Sequence, residues 1–421
     1  MSRQTDMSRQ TDIDPGTYVP DIGGLRFWDM WKVVVFIFVN DTKHKHGGGS
    51  ETGAGALFPY AMIMKVVPNI ATAGNLTFSA SSFFQSHFFS NAVRLCLKRQ
   101  YSKYPAMAAR SKTKVLGELL ILSRFHKYNP VFTTFAGAWS ALLAGAAQLS
   151  DQDRTISTAF IFQQTALCVL AAYLFCGAGM VWNDWIDRDI DAKVARTKHR
   201  PLAMGSVTTT EAMVWMTLQV IMSWGVLRVM LDNKDVLKHL IPVMVASVLY
   251  PFGKRYLARK LMIYPQYILA FTIAWPAIPG RAAICGRHES FTETTRQCLP
   301  LCIMVFFWTI YLNTAYSYQD VVDDRKLKVN SFYNIAGNHI HVLLVLLVSP
   351  IIVCLYTYLA GFESTWLWIS WMGVWTITLM RQLAQFDPKQ PASGGTLHKS
   401  NFILGVWTIL ACAAEVFLTS A

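Results

Sequence analysis

Nine apolar stretches, near residues 131–149, 158–183, 209–231, 236–252, 266–285, 299–316, 340–360, 362–380 and 402–419, make up most of the chain beyond residue 130. Each is about long enough to cross the hydrocarbon core of a bilayer, some of them tilted. Within lipid every backbone N–H and C=O needs an internal partner, so spanning segments of this kind form a helical bundle. The expected fold class is all-α: a multi-pass membrane bundle of about nine transmembrane helices. Composition agrees, since 53% of the residues are hydrophobic and 15% are charged, against roughly 25% charged in ordinary soluble domains.

If the spans alternate in direction, the segments after the second, fourth, sixth and eighth lie on one side of the membrane. Those segments hold most of the basic residues, among them Arg188, Lys193, Arg196, Lys198, Arg200, Lys254, Arg255, Arg325, Lys326 and Arg381. The positive-inside rule places that side in the cytosol or an equivalent compartment. The net charge of +13 then reflects orientation and contact with anionic lipid. A nucleic-acid partner would require a soluble basic domain, which is not visible here.

Residues 1–115 differ from the rest and are expected to be an N-terminal arm, largely disordered or linker, preceding a transmembrane domain over 116–421. The arm opens with a tandem MSRQTD and contains the Gly-rich stretch His46 to Gly53. Ser79 to Gly117 is rich in Ser, Lys and Arg and free of Asp and Glu, a composition shared by mitochondrial transit peptides and by solvated basic arms. Organelle assignment stays open between the endoplasmic reticulum and the mitochondrial inner membrane. The cysteines lack metal-ligand spacing, although Cys285 and Cys298 bracket a segment on the far side where a disulfide would be feasible. Gly286 to Gln297, and Phe386 to Pro391 with Gly394 and Gly395, read as turns or irregular loops.

Two acidic clusters stand at the ends of apolar runs on the basic side. In Asn183-Asp184-Trp185-Ile186-Asp187-Arg188-Asp189-Ile190-Asp191, residues Asp184, Asp187 and Asp191 share one helical face, with Asp189 off it. In Tyr316-Ser317-Tyr318-Gln319-Asp320-Val321-Val322-Asp323-Asp324, residues Tyr316, Asp320 and Asp324 share another, and Asp323 lies close enough to join it. Carboxylates stacked so closely repel one another unless cations compensate, and hard oxygen donors on two facing elements suit Mg²⁺ bound together with a diphosphate. Basic residues follow each cluster: Arg196 and Arg200 after the first, then Lys254 and Arg255 closing the fourth span. Their chemistry matches phosphate, Arg as a bidentate fork and Lys as a point charge. His199 qualifies as a proton carrier by residue type alone.

The run Asn183-Asp184-x-x-Asp187-x-x-x-Asp191, its continuation Arg196-Thr-x-x-Arg200-Pro201-Leu202, Tyr250-Pro251 with Lys254-Arg255, Tyr264-Pro265-Gln266, and Tyr318-Gln319-Asp320-x-x-Asp323-Asp324 resemble the UbiA-type intramembrane prenyltransferases. The likeness runs from about Leu119 to the C-terminus. Phe386-Asp387-Pro388 with Gly394-Gly395 is similar to fungal members that prenylate phenolic polyketides on the way to meroterpenoids.

The resemblance implies a central cavity, Mg²⁺-dependent ionisation of a prenyl diphosphate, farnesyl diphosphate being the expected donor, and attack by a phenolic acceptor. By that likeness Asn183, Asp184, Asp187 and Asp191 would hold one Mg²⁺, and Asp320 and Asp324, with Asp323, the other. Arg196, Arg200, Lys254 and Arg255 would contact phosphate, and Tyr316 would line the cavity at the reacting carbon. The family usually follows its second motif with Gly and then Lys before Ser, whereas this chain reads Lys328-Val329-Asn330-Ser331. Either Lys328 takes over that charge from its shifted position, leaving Asn330 dispensable, or diphosphate affinity is reduced. Rival readings are a terpene cyclase of the same type, a 4-hydroxybenzoate polyprenyltransferase of ubiquinone synthesis, and a cation-coupled transporter with intramembrane carboxylates.

Overall fold

The computed structural model describes residues 111–151, 156–326, 329–336 and 339–420. Residues 1–110, which hold most of the expected arm, lie outside the described residues, as does Lys328. Among the described residues the chain is helical throughout: α1 (Lys112–Leu122), α2 (Asn129–Leu149), α3 (Thr158–Asp191), α4 (Thr209–Met230), α5 (Val236–Leu249), α6 (Tyr256–Lys260), α7 (Pro265–Ala274), α8 (Ala277–Cys285), α9 (Phe291–Ser317), α10 (Val321–Lys326), α11 (Tyr333–Ala336), α12 (Ile340–Leu359), α13 (Thr365–Leu367), α14 (Val374–Gln385) and α15 (Pro391–Ser420).

Among the described residues, eight helical segments are long and apolar enough to cross a membrane. The ninth expected span, 362–380, is a run in which α13 passes through a π-helical turn, Trp368–Gly373, into α14. Its apolar character is diluted because Trp366, Trp368, Trp371 and Trp375 take places that Leu and Ile occupy elsewhere. The molecule is therefore an integral multi-pass membrane protein. Its outer surface is apolar, with Val214, Val229, Leu346 and Ile377 all well exposed, as a lipid-facing surface requires.

The core is built around α2, the most buried of the spans. Its aromatic residues follow helical spacing: Phe132, Phe135 and Trp139 form one stripe that meets Trp308 of α9 and Trp371 and Trp375 of the ninth run. Three of the four indoles place the N–H on an internal acceptor, whereas Trp371 Nε1 is buried without one. Trp308 donates to Asn401 Oδ1 at 2.6 Å, Trp375 to Thr408 Oγ1 at 2.8 Å, and Trp139 to the Gly405 carbonyl at 3.3 Å. In lipid an unmatched indole N–H costs free energy, which these three bonds avoid.

Two segments differ from the loops expected of them. The helix α9 starts at Phe291, well before Gln297, because Ser290 accepts a hydrogen bond from the Glu293 N–H and caps it. Gly394 and Gly395 lie inside α15 rather than in a turn. A Cβ at Gly394 would stand 2.3 Å from the Ala315 carbonyl oxygen of α9, and one at Gly395 would stand 2.8 Å from Gln319 Nε2. These glycines allow two helices to touch backbone to backbone, a packing mode suited to membranes. Cys285 and Cys298 are free thiols, Cys298 Sγ lying 3.4 Å from the Ala277 carbonyl oxygen.

Candidate active site

The helix α3 has 34 residues, about 50 Å at 1.5 Å per residue, whereas the hydrocarbon core is about 30 Å thick. The excess length carries its last turns, and the first acidic cluster with them, beyond the span. Asn183, Asp184, Asp187 and Asp191 are all buried, Asp184 completely, while Asp189 is well exposed beside Arg188. Carboxylates at a helix C-terminus oppose the partial negative charge of the helix end. Burying them there requires cations, and the chain supplies several.

Asp184 Oδ1 accepts from Arg124 Nη2 at 2.7 Å and from Arg200 Nη1 at 3.0 Å. The same Arg200 nitrogen reaches Asp191 Oδ2 at 2.6 Å. Asp187 is held by both of its oxygens, Oδ2 by Lys254 Nζ and Oδ1 by Arg255 Nη2, each at 2.7 Å. Lys254 also donates to Asn183 Oδ1 at 2.8 Å. Arg124, Arg200, Lys254 and Arg255 thus outnumber the three carboxylates they grip, and the cluster keeps an excess of positive charge suited to an anion.

Arg124 was not legible in the sequence as a site residue. Its backbone lies in the left-handed region, φ 62°, a conformation that disfavours a non-glycine residue and persists where the surroundings fix it. Here the fixing contacts are its side-chain bonds to the Leu122 carbonyl and to Asp184.

The second cluster departs from the single helical face expected for Tyr316, Asp320 and Asp324. The helix α9 stops at Ser317, and Tyr318 to Asp320 form a turn before α10 begins. Ser317 Oγ donates to the Thr314 carbonyl and so competes with helical pairing at this end. Asp320 is held from outside by Arg196, whose Nε and Nη2 reach its two oxygens at 2.8 and 2.7 Å. Arg196, expected to contact phosphate, therefore links the loop after the first cluster to the second. Burial lowers the pKa of its guanidinium, but the bond and charge of Asp320 outweigh this and the net shift is upward. Asp323 and Asp324 lie on α10, and their side chains are outside the described residues. His199 is exposed in its loop.

Asn330, expected to be dispensable, is fully buried and acts as a clamp. Its Nδ2 donates to the Gly253 and Ile263 carbonyls, each at 2.8 Å, and its N–H donates to the Lys254 carbonyl at 3.1 Å. It thereby fixes the turn that presents Lys254 and Arg255. Asn330→Ala should leave two buried carbonyls unmatched, costing about 1–3 kcal/mol for each. Thermal unfolding in detergent should show a lowered Tm, and prenyl-transfer assays should show reduced turnover.

Lys127 is a second basic residue that the sequence did not single out. Burial lowers its pKa first, and the charges of Arg124, Arg196 and Arg200 lower it further. No carboxylate pairs with it among the described residues. An arriving diphosphate would relieve this repulsion, so Lys127→Ala should raise KM for the prenyl diphosphate about fivefold, a modest factor because the group is exposed. Steady-state kinetics with the donor varied would check it, KM for the acceptor staying nearly unchanged.

Beneath the cluster lies a cavity of about 180 Å³ whose mouth is bordered by Asn183, Tyr250, Tyr316 and His398. Its walls are mainly apolar, including Phe132, Phe175, Met180, Leu240 and Leu269, and its far end reaches His239. From Tyr250 to His239 along α5 the depth is roughly 16 Å at 1.5 Å per residue. A polar, positively charged mouth above an apolar shaft matches an amphiphile with an anionic head and a hydrocarbon tail.

The model of the UbiA prenyltransferase family matches residues 131–404, a range that contains both acidic clusters and most of the cavity walls. The chain belongs to the UbiA prenyltransferase family. It is 78% identical over 415 residues to Polyprenyl transferase dpfgC of Gibberella zeae, covering 99% of this chain and 100% of that protein. It is 73% identical over 315 residues to Polyprenyl transferase dpchC of Colletotrichum higginsianum, covering 75% of this chain and 100% of that one. The fold is shared with the apo structure of a UbiA homologue from Aeropyrum pernix K1, with a TM-score of 0.53, 21% identity, and coverage of 68% of this chain and 97% of that one. A UbiA homologue from Archaeoglobus fulgidus, solved bound to GPP and Mg²⁺, superposes with a TM-score of 0.50 at 14% identity, covering 72% and 99%.

The donor set of this UbiA-family chain suits a metal shared with substrate. Asp184 Oδ2 is buried and has no hydrogen-bond partner, an orphaned oxygen of the kind a cation would satisfy. No three His, Cys, Asp or Glu side chains converge as an all-protein metal cage among the described residues. Mg²⁺ needs none, because it is characteristically bound by one or two carboxylates and completed by phosphate oxygens and water.

Proposed function

We propose that the protein transfers a polyprenyl group, farnesyl in the simplest case, from its diphosphate to a phenolic acid or aromatic polyketide, as a step of meroterpenoid assembly. The observation that carries this reading is the buried mesh of Asp184, Asp187 and Asp191 with Arg124, Arg200, Lys254 and Arg255 at the mouth of an apolar shaft. The fungal relatives, named polyprenyl transferases, support a donor with a long tail.

In this reading Lys127, Arg200, Lys254 and Arg255, with Lys328 as a further candidate, receive the diphosphate. Asn183, Asp184, Asp187 and Asp191, and on the second motif Asp320 and Asp324 with Asp323, hold Mg²⁺. The ion, when bound, neutralises charge developing on the departing diphosphate. Tyr316 borders the cavity where the allylic carbon would sit, and an aromatic face there stabilises positive charge. The apolar walls keep water from the electron-poor carbon and so favour the acceptor over hydrolysis.

The test is incubation of membranes containing the protein with prenyl diphosphates of graded length and a panel of phenolic acids, with Mg²⁺ or with EDTA, read by mass spectrometry. A prenylated phenol that needs both the acceptor and Mg²⁺ is the expected product. A cyclic terpene formed without any acceptor would overturn the reading in favour of a cyclase.

A further inference from the structure

His398 lies one turn past the glycine contact of α15 and is buried, 5% exposed, at the mouth of the cavity. Its ring is enclosed by aromatic faces: Tyr316 at 4.4 Å between centroids, Phe132 at 4.7 Å and Tyr128 at 5.5 Å. Phe402 closes the cage against Tyr128 and Phe132. In such a cage an imidazole is an expensive residue, because its nitrogens need partners that rings do not offer. Nδ1 is indeed buried with no hydrogen-bond partner. Buried polar atoms are ordinarily paired, so the unmet nitrogen points to a ligand arriving through the cavity.

We propose that His398 is the general base on the acceptor side of the transfer, which rests on the function proposed above. It packs against Tyr316, the residue placed at the reacting carbon, with the two ring planes 40° apart.

The bond from the prenyl C1 to the bridging oxygen breaks and its electron pair leaves with diphosphate. A ring carbon of the acceptor gives a π pair to C1, forming the new C–C bond. The proton on that ring carbon then passes to the His398 imidazole, and its C–H pair restores aromaticity. The neutral imidazole is regenerated by loss of the proton to water at the cavity mouth.

The test compares wild type, His398→Gln and His398→Phe in membranes, following both diphosphate release and prenylated product. Gln keeps a hydrogen-bonding tip without basicity, and Phe keeps the ring and its packing. Product formation should fall at least about 100-fold in both variants, the usual scale of a general base. KM for the prenyl diphosphate should stay within about twofold of wild type, since the diphosphate contacts are untouched. Diphosphate release should continue, with the prenyl group recovered as alcohol.

Acceptor deuterated at the prenylated carbon should react more slowly than protiated acceptor in His398→Gln, because ring deprotonation has become limiting. Imidazole added to His398→Ala should restore product. Wild-type transfer by either variant, or product and diphosphate release lost together with a raised KM for the donor, would overturn the assignment to the acceptor side. Wild-type membranes that make no acceptor-dependent product would overturn the proposed function itself, an outcome separable because it needs no variant.

Discussion

Asp184→Asn should lower prenyl transfer by at least about 100-fold, on the scale seen when one preorganised charge contact of a transition state is removed. The substitution keeps the shape of the side chain and removes its charge, so packing is disturbed little. Asp184 is the most buried of the three cluster carboxylates. One of its oxygens is held by Arg124 and Arg200, and the other has no partner.

Neutralising Asp184 leaves both guanidiniums without their shared counterion. Breaking a buried pair in this way costs about 3–5 kcal/mol, so the Tm should also fall. Asp189→Asn is the matched control. That residue projects outward next to Arg188, and its replacement should leave turnover within about twofold, as exposed ion pairs contribute little. Measured side by side with size-exclusion profiles to verify insertion, equal losses for the two variants would count against a metal and diphosphate role for the buried face.

Gly394→Ala should be nearly as damaging, although it adds only one methyl group. The new Cβ would meet the Ala315 carbonyl oxygen at 2.3 Å, and the obstacle is backbone that cannot swing aside. The helix α15 must then move away from α9, carrying His398 away from Tyr316. Overpacking of this sort costs about 1–3 kcal/mol, and a displacement of about 1 Å in a positioned site can reduce turnover about 100-fold. Thermal unfolding and product assays on the purified variant would check both effects. Gly225→Ala serves as comparison, because a Cβ there meets nothing within 4 Å and the residue does not line the cavity. A Gly394→Ala protein with wild-type Tm and activity would show that the close approach can relax.

The sequence by itself determined the solvent, the fold class and which residues of the first acidic cluster share a face. Spanning segments have little choice of conformation in lipid, so nine apolar stretches already specify a helical bundle. Asp184, Asp187 and Asp191 could be placed on one face because helical periodicity is local, and Asp189 could be set aside for the same reason.

What failed locally was the second cluster. The helix carrying Tyr316 ends before Asp320, and the signal for that end, a Ser317 hydroxyl returning to Thr314 together with the pull of Arg196, involves a contact across 124 positions of sequence. The tertiary structure alone decided which cation meets which carboxylate. Arg124 precedes the first long span and has no acidic neighbour in sequence, yet it reaches Asp184 from 60 positions away.

The same holds for Asn330, which looks like a lost charge in its motif and is a buried clamp on the Lys254 turn. It holds also for Gly394 and Gly395, which look like a turn and are a helix crossing. His398 carries no motif at all, and its meaning lies in the rings that surround it and the partner its nitrogen lacks. Periodicity reports the face of a helix on which a residue lies. It carries no information about what the opposing helix brings to that face, and the chemistry of this site is formed across such faces.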